Sequence, residues 1–238
     1  KPDLIRPFSL ETWRPYPRED TSLARLKGTW HDEHLGVFTL QTSLQRDRRE
    51  EFAIRRNSAY SEVPTLSLSL SSLQVSGSWR KHYHSWDSEV GLQTEYLDNY
   101  SNAGTGFTPP IPNYTQLSWG GYALQRYQAN RFGLEAGLRL EQTQLQVAGY
   151  NIAGEYFAGA HQFTNLTYTL GGHLHLWKGG KLTSNVGLAF RAPHVQELYS
   201  LGSQHGSATF VFGDSTLRSE RGYKWVTSLA HHSDRWEA

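Results

Sequence analysis

The sequence contains no cysteine. That excludes a disulfide framework, a thiol nucleophile and a thiolate metal site, and leaves the compartment open. A dominant charge is missing too: 23 basic residues stand against 22 acidic ones, a formal net charge of +1 over 238 residues. Such a balance argues against a nucleic-acid binder, which needs a basic footprint for the phosphates. No stretch approaches the roughly 18 consecutive apolar residues of a membrane helix. A helical membrane protein is excluded in this way, but a barrel is not, because its strands turn alternate residues to water. Internal repeats, low-complexity linkers and internal domain boundaries are also lacking, so residues 1–238 read as one unit. No signal peptide precedes Lys1, so in an exported protein this chain is expected to be a processed product or an internal piece.

What the chain does have is alternation of period two from end to end. The clearest case sets Phe132, Leu134, Ala136, Leu138 and Leu140 on one face, with Gly133, Glu135, Gly137, Arg139 and Glu141 on the other. Comparable stripes begin at Phe38, Leu73, Val90, Leu166, Leu182 and Tyr223. With weaker strands near Leu23 to Trp30 and Tyr114 to Gln128, about nine strands are expected. The fold class is therefore all-β. Short connections fall near His31 to His34, His82 to Trp86, Ala129 to Asn130, Trp177 to Gly180 and His232 to Arg235. Long ones fall at Asp47 to Pro64, Asn99 to Asn113, Thr143 to Gln162 and Ala192 to Arg218. The two kinds alternate strictly, which is the pattern of an outer-membrane barrel with short turns on one side and long loops on the other. Aromatic residues near the stripe ends, such as Trp79, Tyr96, Trp119, Tyr223 and Trp225, suit interfacial girdles.

The most informative segment is 182–220. An alternating strand runs into Phe190-Arg191-Ala192-Pro193 and then Glu197-Leu198-Tyr199; downstream lies Gly213-Asp214-Ser215-Thr216-Leu217-Arg218-Ser219-Glu220. The first box resembles the Phe-Arg-Ala-Pro box, continuing into Glu-Leu-Tyr, of TonB-dependent outer-membrane receptors. The second resembles their Asn-Pro-x-Leu-Lys-Pro-Glu box in a degenerate form that keeps Leu217 and Glu220, with Asp214 and Ser215 in place of Asn-Pro. The resemblance implies an antiparallel transmembrane barrel of about 22 strands closed around a plug. The chain, 1–238, would supply a partial barrel domain of about nine strands, without the plug and the terminal strands. It further implies import of a scarce metal complex across the bacterial outer membrane, as a ferric siderophore or haem, with zinc as the alternative cargo. The expected partners are the TonB complex, reached through the plug segment, the outer-membrane lipid and the metal chelate itself; neither covalent chemistry nor a permanently bound cofactor is expected.

Candidate ligand-binding residues are His205, His194, Arg191, Glu197 and Tyr199. Arg191 keeps the water-facing parity of its strand and is expected to point into the lumen near the outer rim, where Glu197 could balance it; the plain alternative is a structural ion pair. Pro193 stops ladder pairing where the strand becomes a loop. His205 lies between the two boxes, where the resemblance places a histidine of haem-uptake receptors and a similar glycine–histidine run of zinc-uptake receptors. An imidazole suits haem iron and zinc alike; the alternative is a solvated loop histidine, since one imidazole does not define a metal site. His173 and His175 share one strand face at a spacing that can chelate, although a lumenal strand carries polar groups in any case. Ser200, His205 and Asp214 hold the letters of a hydrolase triad without a nucleophile elbow, and are read as coincidence. Phe107, Tyr114, Tyr150, Tyr156 and Phe157 are expected to line a vestibule for a hydrophobic chelate or to pack on one another. Two rivals are weighed against this reading. A small closed barrel would need an even strand count and a terminal aromatic strand. A soluble β-sandwich binding module would have loops of similar length at both ends.

Overall fold

The computed structural model describes residues 16–52, 63–151, 153–203 and 210–232. Their dominant feature is one antiparallel sheet of nine long strands. In chain order these are β1 (Tyr16–Asp32), β2 (Gly36–Phe52), β3 (Leu66–Tyr83), β4 (Trp86–Ser101), β5 (Asn113–Gln128), β6 (Phe132–Tyr150), β7 (Tyr156–Trp177) and β8 (Gly180–Arg191), followed by a helical turn α1 (Val195–Tyr199), a small ribbon of β9 (Leu201–Ser203) and β10 (Phe210–Phe212), and finally β11 (Glu220–His231). Each strand of the main sheet pairs with its sequence neighbour, β8 with β11, and β1 and β11 form the two edges. This is a meander, the connectivity of an up-and-down barrel wall. It is not two packed sheets, so the sandwich rival fails.

The faces of the wall explain the alternation. On β6 the outward residues Leu134 and Leu138 are more than half exposed, whereas Gly133, Glu135 and Arg139 between them are buried or half-buried. A water-soluble protein would show the reverse. The register carries the apolar face across the sheet: Leu138 lies opposite Tyr168, which lies opposite Leu188, which lies opposite Tyr223. An exposed, continuous apolar face on long strands calls for hydrocarbon around it. From Phe132 to Leu140 the stripe runs about 27 Å along the strand. A strand tilt of about 40° turns this into about 20 Å of height, close to the apolar band of outer-membrane barrels. At the short-turn end, ring pairs Trp30–Phe38, Trp86–Tyr127 and Tyr127–Phe132 have centroids 5.3, 4.9 and 5.7 Å apart, forming one aromatic girdle. Trp79 is fixed there by its indole N–H, which donates to the Leu35 carbonyl at 2.6 Å.

Above the band the wall continues, contrary to the expected long loop at Thr143 to Gln162. Instead β6 reaches Tyr150 and β7 starts at Tyr156. The reason is a change of polarity between the two faces. Outward positions become Gln142, Gln144, Gln146, Gln162 and Thr164, while inward Leu145, Val147 and Phe163 are buried. Likewise β2 runs on to Phe52, past the expected loop start at Asp47. The core sits on this inner surface, where Tyr114, Leu145, Val147 and Phe163 pack with Val195 and Leu198 of α1. Among the described residues no helix is long and apolar enough to cross a membrane.

Candidate functional site at the inner rim of the wall

The site is built from the point where β8 must stop. Pro193 has no N–H to extend the ladder, and the chain turns inward over the wall. His194 then caps α1: its Nδ1 accepts from the Gln196 N–H at 3.2 Å, while the Glu197 carboxylate accepts from the His194 N–H at 2.7 Å. This is a reciprocal capping box built on histidine and glutamate. The apolar side of α1, Val195 and Leu198, is almost fully buried on the core of the wall.

Arg191 ties the two sequence boxes together. Its guanidinium donates to both Glu197 oxygens, at 2.7 and 2.9 Å, and its Nε donates to Glu220 at 3.1 Å. Glu220 opens β11 directly opposite Arg191 in the ladder. The fork geometry suits two carboxylates at once. Hydrogen bonds to the Glu197 and Glu220 carboxylates push the Arg191 guanidinium up, and the same Arg191 hydrogen bonds, helped by the His194 N–H, pull the Glu197 carboxyl down to about 2. The structural ion pair expected as the plain alternative is therefore present. The connection from β10 to β11 closes over α1, with the Gly213 N–H donating to the Ser200 carbonyl at 2.6 Å and the Asp214 N–H to the Glu197 carbonyl at 2.9 Å. A Cβ at Gly213 would meet the backbone of Leu198 and Tyr199, so this approach requires glycine.

Tyr199 fills a seat on β7 that was not read from the sequence. Its hydroxyl lies 2.6 Å from His161 Nε2, its ring stacks on Phe157 at 5.6 Å, and it occupies the space a Cβ at Gly159 would take. Burial pushes the Tyr199 phenol up. Of the inward series Phe157, Gly159, His161, Phe163, the first three fall inside the loop expected at Thr143 to Gln162. Beside the segment 190–194 a cleft of about 540 Å³ opens on the lumenal face, lined among others by Glu95, Gln116, Arg139, Glu141, Arg191 and His194. Nearby on the same face, the buried Asn165 amide nitrogen has no hydrogen-bond partner among the described residues.

Four of the five candidate residues, Arg191, His194, Glu197 and Tyr199, thus converge at this rim. His205 lies outside the described residues. His173 and His175 have ring centroids 5.5 Å apart, with His173 engaged by the Gln128 amide at 3.3 Å. Among the described residues no group of three or more His, Cys, Asp or Glu could hold a metal ion. Ser200 donates to the Pro110 carbonyl and Asp214 accepts from Thr216, so these two of the three triad letters have structural duties. The expected vestibule divides in two. Tyr114 and Phe157 belong to the inner core, whereas Tyr150 and Tyr156 keep the outward parity and join Tyr100 and Phe107 around a pocket of about 560 Å³.

Comparison with known proteins follows the same lines. No curated protein matches the sequence. Among solved structures, the copper transporter OprC is 15% identical with a TM-score of 0.65, covering 92% of this chain and 37% of its own. The hemophore receptor HasR of Serratia marcescens, in complex with hemophore HasA and heme, is 16% identical with a TM-score of 0.67, covering 93% and 38%. The FrpB iron transporter of Neisseria meningitidis is 13% identical with a TM-score of 0.61, covering 92% and 35%. The chain thus spans little more than a third of the length of these structures. Its nine-stranded sheet corresponds to part of their barrels, and the small closed barrel loses its support. Residues 5–238 match the family described as TonB dependent receptor-like, beta-barrel, and the chain belongs to that family of Gram-negative outer-membrane proteins.

Proposed function

We propose that this chain is a barrel-wall portion of a receptor that imports a scarce metal complex, with iron as a ferric siderophore or haem the foremost cargo. The observation that carries this reading is the cleft on the lumenal face lined by Glu95, Arg139, Glu141, Arg191 and His194, in a chain of this family. Copper, iron and haem appear in the names of the structures it resembles, so a metal-containing cargo is the shared chemistry. In this reading the chain itself performs no covalent step. Its rim and lumen select the cargo, and the TonB complex works on a plug segment outside residues 1–238.

The α1 turn, clamped by Arg191 and seated by Tyr199, is the fixed platform from which the segment carrying His205 departs. The His205 imidazole would supply a nitrogen ligand to haem iron or to zinc. The test is His205→Ala in the full-length receptor, titrated with haem, zinc and a panel of ferric siderophores. Haem or zinc affinity should fall about tenfold or more, equivalent to about 1.4 kcal/mol, with stability changed by no more than about 0.5 kcal/mol. Unchanged haem and zinc affinities would remove the histidine role, and tight binding of one siderophore would then identify the cargo.

A further inference from the structure

The lipid-facing side of β1 to β5 is not a uniform wall. One row of the ladder reads Gly28, Leu40, Gly77, Leu92, Gly121 across five consecutive strands. The leucines stand out as ridges, 62% and 72% exposed, and the glycines leave the backbone bare between them. A Cβ built at Gly28 or Gly77 meets nothing within 4 Å. The result is an apolar groove of about 840 Å³, bounded toward the short turns by Trp30, Phe38 and Trp79. On the inner side the wall is filled, because Tyr122 occupies the space over Gly91 and bonds to Glu89 at 2.7 Å.

We infer that this groove holds one acyl chain of a phospholipid from the periplasmic leaflet. Three observations select that occupant. The groove is continuous with the apolar face that this family presents to the outer-membrane hydrocarbon. The outward residues around it are Gly, Leu, Val, Phe and Trp, so it offers an acyl chain dispersion contacts. It also lies against the aromatic girdle at the short-turn end, the periplasmic end in outer-membrane barrels, which places the headgroup just below Trp30 and Trp79. Elsewhere on the wall a chain meets the leucine ridges; here it can lie between Leu40 and Leu92 against the bare backbone of Gly77, and that added contact slows its exchange.

The experiment uses the full-length receptor and Gly77→Leu, which fills the groove at a position with free space, and Ala136→Leu on the outward face of β6 as the control. Each is reconstituted into vesicles of phosphatidylethanolamine bearing a nitroxide near the end of one acyl chain, and the motionally restricted lipid is counted by electron paramagnetic resonance. Native mass spectrometry after stepwise delipidation counts the phospholipids that remain. Wild type and Ala136→Leu should retain one phospholipid that Gly77→Leu loses, with a matching fall in the restricted fraction. Equal counts in all three proteins would overturn the inference. A lipid-free dimer of wild type that Gly77→Leu separates would overturn it as well, by making the groove an interface between copies. Gly28→Leu serves as a second filling variant should Gly77→Leu fail to assemble, and neither readout depends on the identity of the cargo.

Discussion

Leu138 and Leu145 belong to the same strand, yet the first is 54% exposed and the second 2%. They mark two regions of one wall. In the lower region the apolar residues point outward and the lumen is polar; in the upper region glutamines point outward and the apolar residues turn in beneath α1. The backbone period is the same in both, since a strand always alternates. What changes is the medium on the outside, hydrocarbon below and water above, and the side chains follow it. The upper region is in effect a small water-soluble core built on the rim of a membrane protein.

Truncating the buried leucine tests this division most severely. Leu145→Ala removes a side chain packed with Tyr114, Val147, Phe163 and the α1 residues, and should destabilise the rim by about 2–5 kcal/mol. Hydrogen exchange should show lost protection in α1 and in the upper halves of β6 and β7, with the lower halves unchanged. Global loss of protection would show that the two regions are not separable. Leu138→Ala should do far less, because its side chain is surrounded by lipid in the folded barrel.

A charge on the outward face tests where the water boundary lies. Leu138→Arg should cost about 2–4 kcal/mol if it stands near the bilayer midplane, measured by reversible unfolding from phospholipid vesicles. The same substitution at Gln144, outward on the same strand but above the apolar band, should stay within about 0.5 kcal/mol. Equal costs at the two positions would contradict the placement of the water boundary between them.

The lower region was legible in the sequence because its stripe is long, its apolar residues are leucines, and the turns that bound it are short. Strand count, order and face assignment followed from that. The upper region was not legible for a physical reason. Its apolar positions, Leu145 and Val147, have the opposite parity to Leu138 and Leu140, so the stripe ends at Leu140 when only that face is followed. The site was half legible. The first box announced Arg191, Glu197 and Tyr199, and charge alone suggested the Arg191–Glu197 pair. Neither the Glu220 contact nor the Gly159–His161 seat could be read, because each joins residues that are distant in sequence and meet only once the sheet has formed.

The smallest expected effect concerns the visible charges of the rim. Glu197 is held down to about 2 by the Arg191 fork and the His194 N–H, compared with an ordinary 4.5. A depressed carboxylate contributes its stabilisation above the ordinary value, and that contribution is lost as the pH falls from about 4.5 through about 2. The group is exposed to water, which screens the pair, so the loss should be local and weak. Hydrogen exchange, corrected for the intrinsic pH dependence, should show protection of the His194 amide, which Glu197 accepts, fading across that window in wild type. In Glu197→Gln protection should be lower and flat over the same range, while the buried contacts of Val195 and Leu198 keep α1 docked at every pH. A pH-dependent release of the whole turn would mean that the fork, rather than the apolar packing, holds the rim together, and the likeness of the upper region to a soluble core would fail at the point where its charge is greatest.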